Sequence, residues 1–349
     1  ETGNAYLQRA NIYYRDGYST EAMLCAGRAI GFLGFGGPVE EYPPLLRKDS
    51  EEWKEAENFL KFKPLSLRQV WQSPSEAIHH DNIIVRLSYS PDGKCLASGG
   101  LDDAIKVWDV ASGKLLFTHQ GFCMAYSPNG KFLAMGSLDG MIKICEANTG
   151  KQIALYQGHS NQILTIVYSP DGRFLASGGK DNTIKIWDAT TGNPLSSYEG
   201  HFDSVQSIAY HPDGKYLASG SADKTIKIWD VTAGNNAATY QGHSLGVTSV
   251  VYSPNGKFLA SASNDKTIKI WDIATGNSTA TYQGHSNEVM GIAYSPDGKF
   301  LASCSYDATI KIWDVATGNN IATYKKHFSI TSMAYTPDGK FLAYGILKS

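Results

Sequence analysis

Residues 168–188 read YSPDGRFLASGGKDNTIKIWD, and variants of this stretch return along most of the chain. The repeats begin at seven tyrosines: Tyr89, Tyr126, Tyr168, Tyr210, Tyr252, Tyr294 and Tyr335. Successive tyrosines are therefore 37, 42, 42, 42, 42 and 41 residues apart. A period of about 40–45 residues is typical of a radial array in which each repeat forms one four-stranded blade. Because one such unit cannot bury its own apolar faces, the repeats predict a ring of stacked blades.

The third unit shows how one repeat encodes four strands. The β-branched and apolar run at 163–168 predicts the first strand, and Pro and Gly in 169–172 favour a tight turn after it. Residues 174–178 and 183–188 predict the second and third strands, and residues 195–198 the fourth. Four strands joined by three short turns indicate an antiparallel meander.

The repeat resembles the WD-repeat β-propeller family over residues of about 66–349. The resemblance rests on the period, the Ser-Pro-Asp-Gly turn, the Gly-His dipeptide before the first strand and the Trp-Asp end of the third. It implies an all-β fold, a seven-bladed β-propeller of four-stranded antiparallel blades. The second unit departs from the pattern, since it lacks Gly-His and has Cys145 where Trp is usual.

The family's blades contain a hydrogen-bonded set of His, Asp, Ser or Thr, and Trp, and the resemblance implies such sets here. By residue matching they are His159, Asp181, Ser177 and Trp187; His201, Asp223, Ser219 and Trp229; His243, Asp265, Ser261 and Trp271; and His285, Asp307, Ser303 and Trp313. A weaker match in the first unit is His80, Asp102, Ser98 and Trp108. His, Asp and Ser also make up a hydrolase triad. Because the same set occurs five times, we expect each set to stabilise its blade rather than to catalyse a reaction.

Ring closure is predicted to involve residues 65–72. Propellers of this family usually close when the N-terminal segment adds the outermost strand to the last blade, and the alternating pattern of 65–71 suits that strand. The seventh unit stops at Ser349, before any Trp-Asp strand, so its blade is expected to hold three strands. Trp71 as a substitute for the missing Trp-Asp strand is the alternative left open. Closure removes sheet edges that promote aggregation.

Residues 1–64 carry no repeat and are predicted to form a helical extension ahead of a propeller domain at 65–349. Small and aromatic residues recur at helical spacing around a Gly break within 5–31, which resembles a single tetratricopeptide-type helix hairpin. Residues 49–60 begin with Asp, Ser and two Glu and continue with an apolar stripe, which predicts a further short helix.

Charge and composition argue against several classes of function. The formal net charge is −2, so neither nucleic acid nor an anionic membrane is predicted as a partner. No apolar run reaches the roughly 18 residues that a membrane span needs. The five cysteines include no Cys-x-x-Cys pair, which predicts neither a zinc site nor a disulfide framework and favours a reducing, cytoplasmic environment. No cofactor or metal is predicted.

Comparison of the seven units finds positions that vary while their neighbours repeat. In the family, partner contacts often come from the rim where the first strand begins and from the residue before the turn Asp. Apolar side chains at such positions are Ile83, Val85, Leu101, Phe122, Leu138, Leu164, Met290 and Tyr306. If they are exposed together, they form an apolar patch of the kind that marks interaction sites. The alternative is that some of them cover the channel or contact the helical segment.

These patterns predict a non-enzymatic, monomeric scaffold whose rim binds a protein or peptide partner. The alternatives are an enzyme or small-ligand binder with a site in the central channel, and a fragment of a larger signalling protein. An enzyme would interrupt the repeat with a unique cluster of carboxylates, His or Cys, whereas Leu, Phe, Met and Tyr interrupt it here. Fold analogy supports part of this prediction, and a fold alone does not determine function.

Overall fold

The computed structural model describes residue 80 and residues 82–347. This part of the chain consists of strands, turns and loops and contains no helix, so no helix in it is long and apolar enough to span a bilayer. The predicted helical extension at 1–64 and the predicted closing segment at 65–72 lie outside the described residues. The all-β architecture is confirmed for the described residues.

The first three blades each contain four antiparallel strands in chain order. Blade 1 consists of β1 (Ile84–Tyr89), β2 (Cys95–Gly100), β3 (Ala104–Asp109) and β4 (Leu115–Gln120). Blade 2 consists of β5 (Cys123–Tyr126), β6 (Phe132–Gly136), β7 (Met141–Glu146) and β8 (Gln152–Gln157). Blade 3 consists of β9 (Ile163–Tyr168), β10 (Phe174–Gly179), β11 (Ile184–Asp188) and β12 (Pro194–Tyr198). Each blade is thus a meander, as the repeat predicts.

Three more blades follow the same order, and two strands of a seventh are described. Blade 4 consists of β13 (Val205–Tyr210), β14 (Tyr216–Ser221), β15 (Ile226–Asp230) and β16 (Asn235–Tyr240). Blade 5 consists of β17 (Val247–Tyr252), β18 (Phe258–Ser263), β19 (Ile268–Asp272) and β20 (Ser278–Tyr282). Blade 6 consists of β21 (Val289–Tyr294), β22 (Phe300–Ser305), β23 (Thr309–Asp314) and β24 (Asn320–Lys325). Blade 7 contains β25 (Ile330–Tyr335) and β26 (Leu342–Ile346).

The turn between the first and second strands is held by its own side chains. In blade 3, Ser169 Oγ donates to Asp171 Oδ1 over 2.6 Å and accepts from the backbone N–H of Phe174 over 2.9 Å. Gly172 has a φ of 73°, which glycine adopts without the steric cost that a Cβ would bring. The Ser-Pro-Asp-Gly sequence therefore determines where each blade begins its first hairpin.

Neighbouring blades pack through aromatic rings. Tyr198, at the end of the outer strand of blade 3, stacks on Trp229 of blade 4 with ring centroids 5.3 Å apart. Tyr240 and Trp271 repeat the contact between blades 4 and 5 at 5.3 Å. Stacked aromatic pairs contribute about 0.5–1.5 kcal/mol beyond the area they bury. The Trp of the Trp-Asp dipeptide in blades 3 to 6 thus joins its own blade to the preceding one.

The ring closes at its inner strands within the described residues. Each first strand contacts the first strands of the blades beside it, and β25 of blade 7 contacts β1 of blade 1. Across this last junction, the Thr331 hydroxyl donates to the carbonyl oxygen of Ile84. Gly345 approaches the same residue so closely that an added Cβ would lie 3.0 Å from Ile84 Cγ2. Seven inner strands therefore surround one channel.

Candidate protein-binding surface

One face of the ring carries the loops that enter the first strands and the turns between the second and third strands. We call it the tetrad face. In blade 4, His201 donates through Nδ1–H to Asp223 over 2.8 Å, because a carboxylate can only accept. The Ser219 hydroxyl then donates to His201 Nε2 over 2.7 Å, and Trp229 Nε1–H donates to Ser219 over 2.8 Å. The four side chains form one continuous hydrogen-bonded chain.

The same three contacts recur in blades 1, 3, 5 and 6. The His–Asp, His–Ser and Trp–Ser sets are His80, Asp102, Ser98 and Trp108; His159, Asp181, Ser177 and Trp187; His243, Asp265, Ser261 and Trp271; and His285, Asp307, Ser303 and Trp313. All five serines of these sets are 0% exposed, the one in blade 4 included. A substrate therefore has no access to a hydroxyl that resembles a catalytic nucleophile.

Hydrogen bonding determines the charge state of the blade 4 set. Burial alone would raise the pKa of Asp223, but hydrogen bonds from Thr225, the Phe202 N–H and His201 lower it to about 2. Burial lowers the pKa of His201, although Asp223 opposes this effect. Asp223 is consequently ionised and His201 neutral at neutral pH. The set is a closed network with its proton acceptors already occupied.

Blade 2 lacks this network because its entering loop is short. Only Gly121 and Phe122 separate β4 from β5, whereas 158–162 separate the corresponding strands at the next junction. Met135 and Cys145 also replace the Ser and Trp of the other networks, since Met135 pairs with Lys143 as Ser177 pairs with Lys185. Phe122 is only 8% exposed, and Leu164 at the matching position of blade 3 is equally buried, at 6%, although its loop is longer.

On the tetrad face, two positions hold residues that differ from blade to blade, which we call unit-specific residues. A repeated backbone hydrogen bond joins the two positions. The residue before the turn Asp donates its N–H to the carbonyl of the residue just before the first strand. The pairs are Leu101 with Ile83, Lys180 with Gln162, Ala222 with Ser204, Asn264 with Gly246, and Tyr306 with Glu288, at 2.8–3.1 Å. Each of these five blades therefore places two unit-specific residues next to each other, at a position that the common backbone determines.

A β-bulge changes the direction of one further side chain in six of the seven first strands. The register shifts place one extra residue opposite the second strand in each case: Val85, Leu164, Gln206, Thr248, Met290 and Thr331. Bulges of this kind bend a strand and change the direction of a side chain, often beside functional sites. The sequence-predicted candidates Val85, Leu164 and Met290 are thus bulge residues at the tetrad-face end of the channel.

The sequence-predicted apolar residues divide into a buried and an accessible group. Phe122 and Leu164 belong to the core cluster between blades 2 and 3, with Val85 and Leu138 packed against it. Leu101 is 45% exposed, and Ile83, Met290 and Tyr306 are half-buried. The structure therefore packs four of the eight predicted residues in or against the core between blades 2 and 3, so they do not form an exposed patch, and leaves the other four more accessible.

Sequence analysis missed the most exposed apolar side chain of the tetrad face. Phe202 is 90% exposed, although its backbone N–H is held by Asp223 over 3.0 Å. Ser160, Ser244 and Ser286 occupy the corresponding position after His in blades 3, 5 and 6. The comparison among units that found the other candidates would have found Phe202 as well, had it included this position.

Comparisons with known families assign most of the chain to one kind of repeat. A family model described as WD domain, G-beta repeat matches residues 73–109, 150–188 and 192–230. A model described as IFT122 first beta-propeller matches residues 213–349. A model described as Anaphase-promoting complex subunit 4 WD40 domain matches residues 120–168. All three descriptions agree with the blades and turns described above.

Proposed function

We propose that this member of the WD-repeat β-propeller family is a protein-interaction scaffold without chemistry of its own, and that a protein or peptide partner binds to its tetrad face. The observation that supports this most is an unvarying backbone that presents varying side chains. The same hydrogen bond fixes Leu101 beside Ile83 and Tyr306 beside Glu288, yet the side chains differ in every blade. Because the repeated hydrogen bond involves only backbone atoms, it does not dictate these side chains, which leaves them free to be set by a partner.

The accessible apolar side chains on this face define the proposed contact surface. We call Ile83, Leu101, Phe202, Leu245, Met290 and Tyr306 the rim surface. Blade 1 contributes Ile83 and Leu101, and blade 6 contributes Met290 and Tyr306. Only blade 7 separates these two blades. Phe202 and Leu245 belong to the neighbouring blades 4 and 5. Aromatic and long apolar side chains surrounded by polar groups are enriched at the centres of protein interfaces.

The enzyme and channel-ligand alternatives receive less support from the geometry. The Ser hydroxyls of the His–Asp–Ser sets are buried, and each is engaged by both Trp and His. At the tetrad-face end of the channel, the side chain of Arg86 reaches from blade 1 to the Leu164 carbonyl in blade 3 and the Gln206 carbonyl in blade 4. The buried Ser hydroxyls and the Arg86 side chain at the channel end both fit a surface that binds a partner at the channel mouth.

Affinity capture with paired variants of the full chain tests the proposal. Phe202→Ser installs the residue that blades 3, 5 and 6 already have, and Tyr306→Ala truncates a half-buried aromatic side chain. Lys227→Ala on the third strand, whose Nζ donates to Thr239 of the outer strand, is the control. We expect one set of captured proteins to be lost with the first two variants and kept with the control, as quantified by mass spectrometry. Retention of every captured protein by both rim variants would overturn the proposal.

A further inference from the structure

Arg86 occupies a position at which every other described unit has a small side chain. The matching residues are Cys123, opposite the last residue of its second strand, and Thr165, Ser207, Ser249, Gly291 and Ser332, each opposite the next-to-last residue, as Arg86 is. Small side chains at six inner strands leave room around the channel axis. One arginine extends into that room.

The guanidinium of Arg86 is held by backbone carbonyls from three blades. Nη1 donates to Val85 O over 3.1 Å, and Nη2 donates to Leu164 O over 3.2 Å and to Gln206 O over 3.0 Å. Val85, Leu164 and Gln206 are bulge residues at the start of their strands. The charged group therefore lies near the tetrad-face end of the channel, fixed in position before any partner arrives.

This charge has no counter-charge among the residues that the structure describes. A guanidinium has five N–H donors, so the three hydrogen bonds to neutral carbonyls leave two donors unused. The titratable groups that act on Arg86 are the thiols of Cys123 and Cys304, and burial raises the pKa of each to about 12, which keeps them neutral. Burial lowers the pKa of Arg86 itself, yet arginine stays charged in proteins. A half-buried, unpaired charge is costly unless a partner supplies the opposite sign.

We propose that the channel mouth on the tetrad face binds an acidic side chain of the partner, Asp or Glu, whose carboxylate accepts hydrogen bonds from Arg86 and forms an ion pair with it. This inference rests on the proposed function and specifies the chemistry of the partner. Carboxylates pair with arginine through short, charge-assisted hydrogen bonds, and the reduced solvent exposure at the mouth strengthens that attraction. The half-buried Met290 lies at a bulge position around the same opening and provides an apolar contact for the partner residues beside the acid.

Glu288 provides an internal test of this arrangement. It is the one carboxylate among the described residues just before the first strands, and its carbonyl accepts from Tyr306 over 3.1 Å. Its negative charge at the rim opposes the approach of an acid. Neutralising it is expected to improve acid binding without touching Arg86.

Capped pentapeptides Ala-Leu-Xaa-Leu-Ala, with Xaa as Glu, Gln or Lys, test the inference on the intact chain. By isothermal titration calorimetry, we expect the Glu peptide to bind at least about tenfold more tightly than the isosteric Gln peptide, and the Lys peptide to bind most weakly. Added salt should reduce the difference. Absence of Glu-selective binding by the wild-type chain would overturn the inference.

Two variants separate recognition from structure. Arg86→Met keeps much of the side-chain length and should abolish the preference for Glu over Gln. If that variant fails to fold, Glu288→Gln in an intact ring should raise the affinity for the Glu peptide and leave the Gln peptide unchanged. An unchanged Glu affinity in Glu288→Gln counts against the inference. Loss of acid selectivity alone, with capture still dependent on the rim surface, would leave the proposed function standing.

Discussion

The guanidinium of Arg86 in blade 1 lies 3.0 Å from the carbonyl oxygen of Gln206 in blade 4, across the channel of the ring. The two residues are 120 positions apart in sequence. A hydrogen bond between non-adjacent blades ties parts of the ring that the aromatic stacking between neighbours cannot join. Arg86 therefore has a structural role in addition to the proposed recognition of an acid.

The cross-channel contacts predict a stability cost for Arg86→Lys. A lysine keeps the charge, but its one ammonium nitrogen cannot reproduce the contacts of two guanidinium nitrogens, Nη1 to Val85 O and Nη2 to Leu164 O and Gln206 O. We expect the free energy of unfolding to fall by about 1–3 kcal/mol, as measured by urea denaturation. Arg173→Lys, on an exposed turn of blade 3, is the control and should change stability by less than about 0.5 kcal/mol.

The blade 4 hydrogen-bonded chain predicts a cost for Asp223→Ala. Removal of this carboxylate deprives His201, Thr225 and the Phe202 N–H of their acceptor, so the variant should lose about 1–3 kcal/mol of unfolding free energy. Far-ultraviolet circular dichroism at low temperature should keep its β-type signal. Glu199→Ala, an exposed residue of the loop before this blade, is the matched control. Identical melting of Asp223→Ala and wild type would contradict a stapling role.

The same networks predict loss of stability in acid. Burial lowers the pKa of His201 and His285, so the unfolded state binds more protons than the folded state below about pH 6.5. The pKa of Asp223 is lowered to about 2, so its contribution is lost as the pH falls from about 4 towards 2. Both effects have one sign: unfolding free energy decreases as pH decreases.

Calorimetric melting across the pH range checks this sign. We expect a nearly constant melting temperature between about pH 7 and 8, a decline below about pH 6.5 and a steeper one below about pH 4. The double variant His201→Gln, His285→Gln should be less stable but show a shallower decline between about pH 6.5 and 5. A wild-type protein that melts higher at about pH 5 than at about pH 7 would refute the assignment.

Phe122 and Phe202 are expected to behave oppositely on substitution. Phe122 is buried in the core cluster between blades 2 and 3, so Phe122→Ala should cost about 3–5 kcal/mol. Phe202 is 90% exposed, so Phe202→Ser should change stability by less than about 0.5 kcal/mol. Thermal denaturation of both variants decides this. Equal destabilisation by the two changes would show that their environments are not the ones described.

The repeat made the blades predictable because its turn residues and apolar runs define each strand locally. In blade 3, the run at 163–168 is the first strand as predicted, and the predicted fourth strand at 195–198 begins one residue earlier, at Pro194. The described residues confirm six four-stranded blades and two strands of the seventh. Closure by residues 65–72 and the helical extension at 1–64 stay predictions.

The positions of individual site residues were harder to predict because they depend on contacts between blades. Phe122 occupies a rim position in the pattern, but it packs in the core between blades 2 and 3, as Leu164 does at the matching position of blade 3. Arg86 is recognisable from sequence as the one large residue among small equivalents. The carbonyls on blades 3 and 4 that accept its hydrogen bonds cannot be identified from the sequence, because the diameter and closure of the ring determine which carbonyls Arg86 reaches.

Binding at the tetrad face is the central claim, and hydrogen–deuterium exchange of the full chain with and without a captured partner tests it most directly. We expect the partner to slow amide exchange in the loops at 199–204 and 283–288 and the turn at 306–308. The outer strands Asn235–Tyr240 and Ser278–Tyr282 should exchange at unchanged rates. Protection confined to the outer strands, with the tetrad-face loops unaffected, would contradict the account.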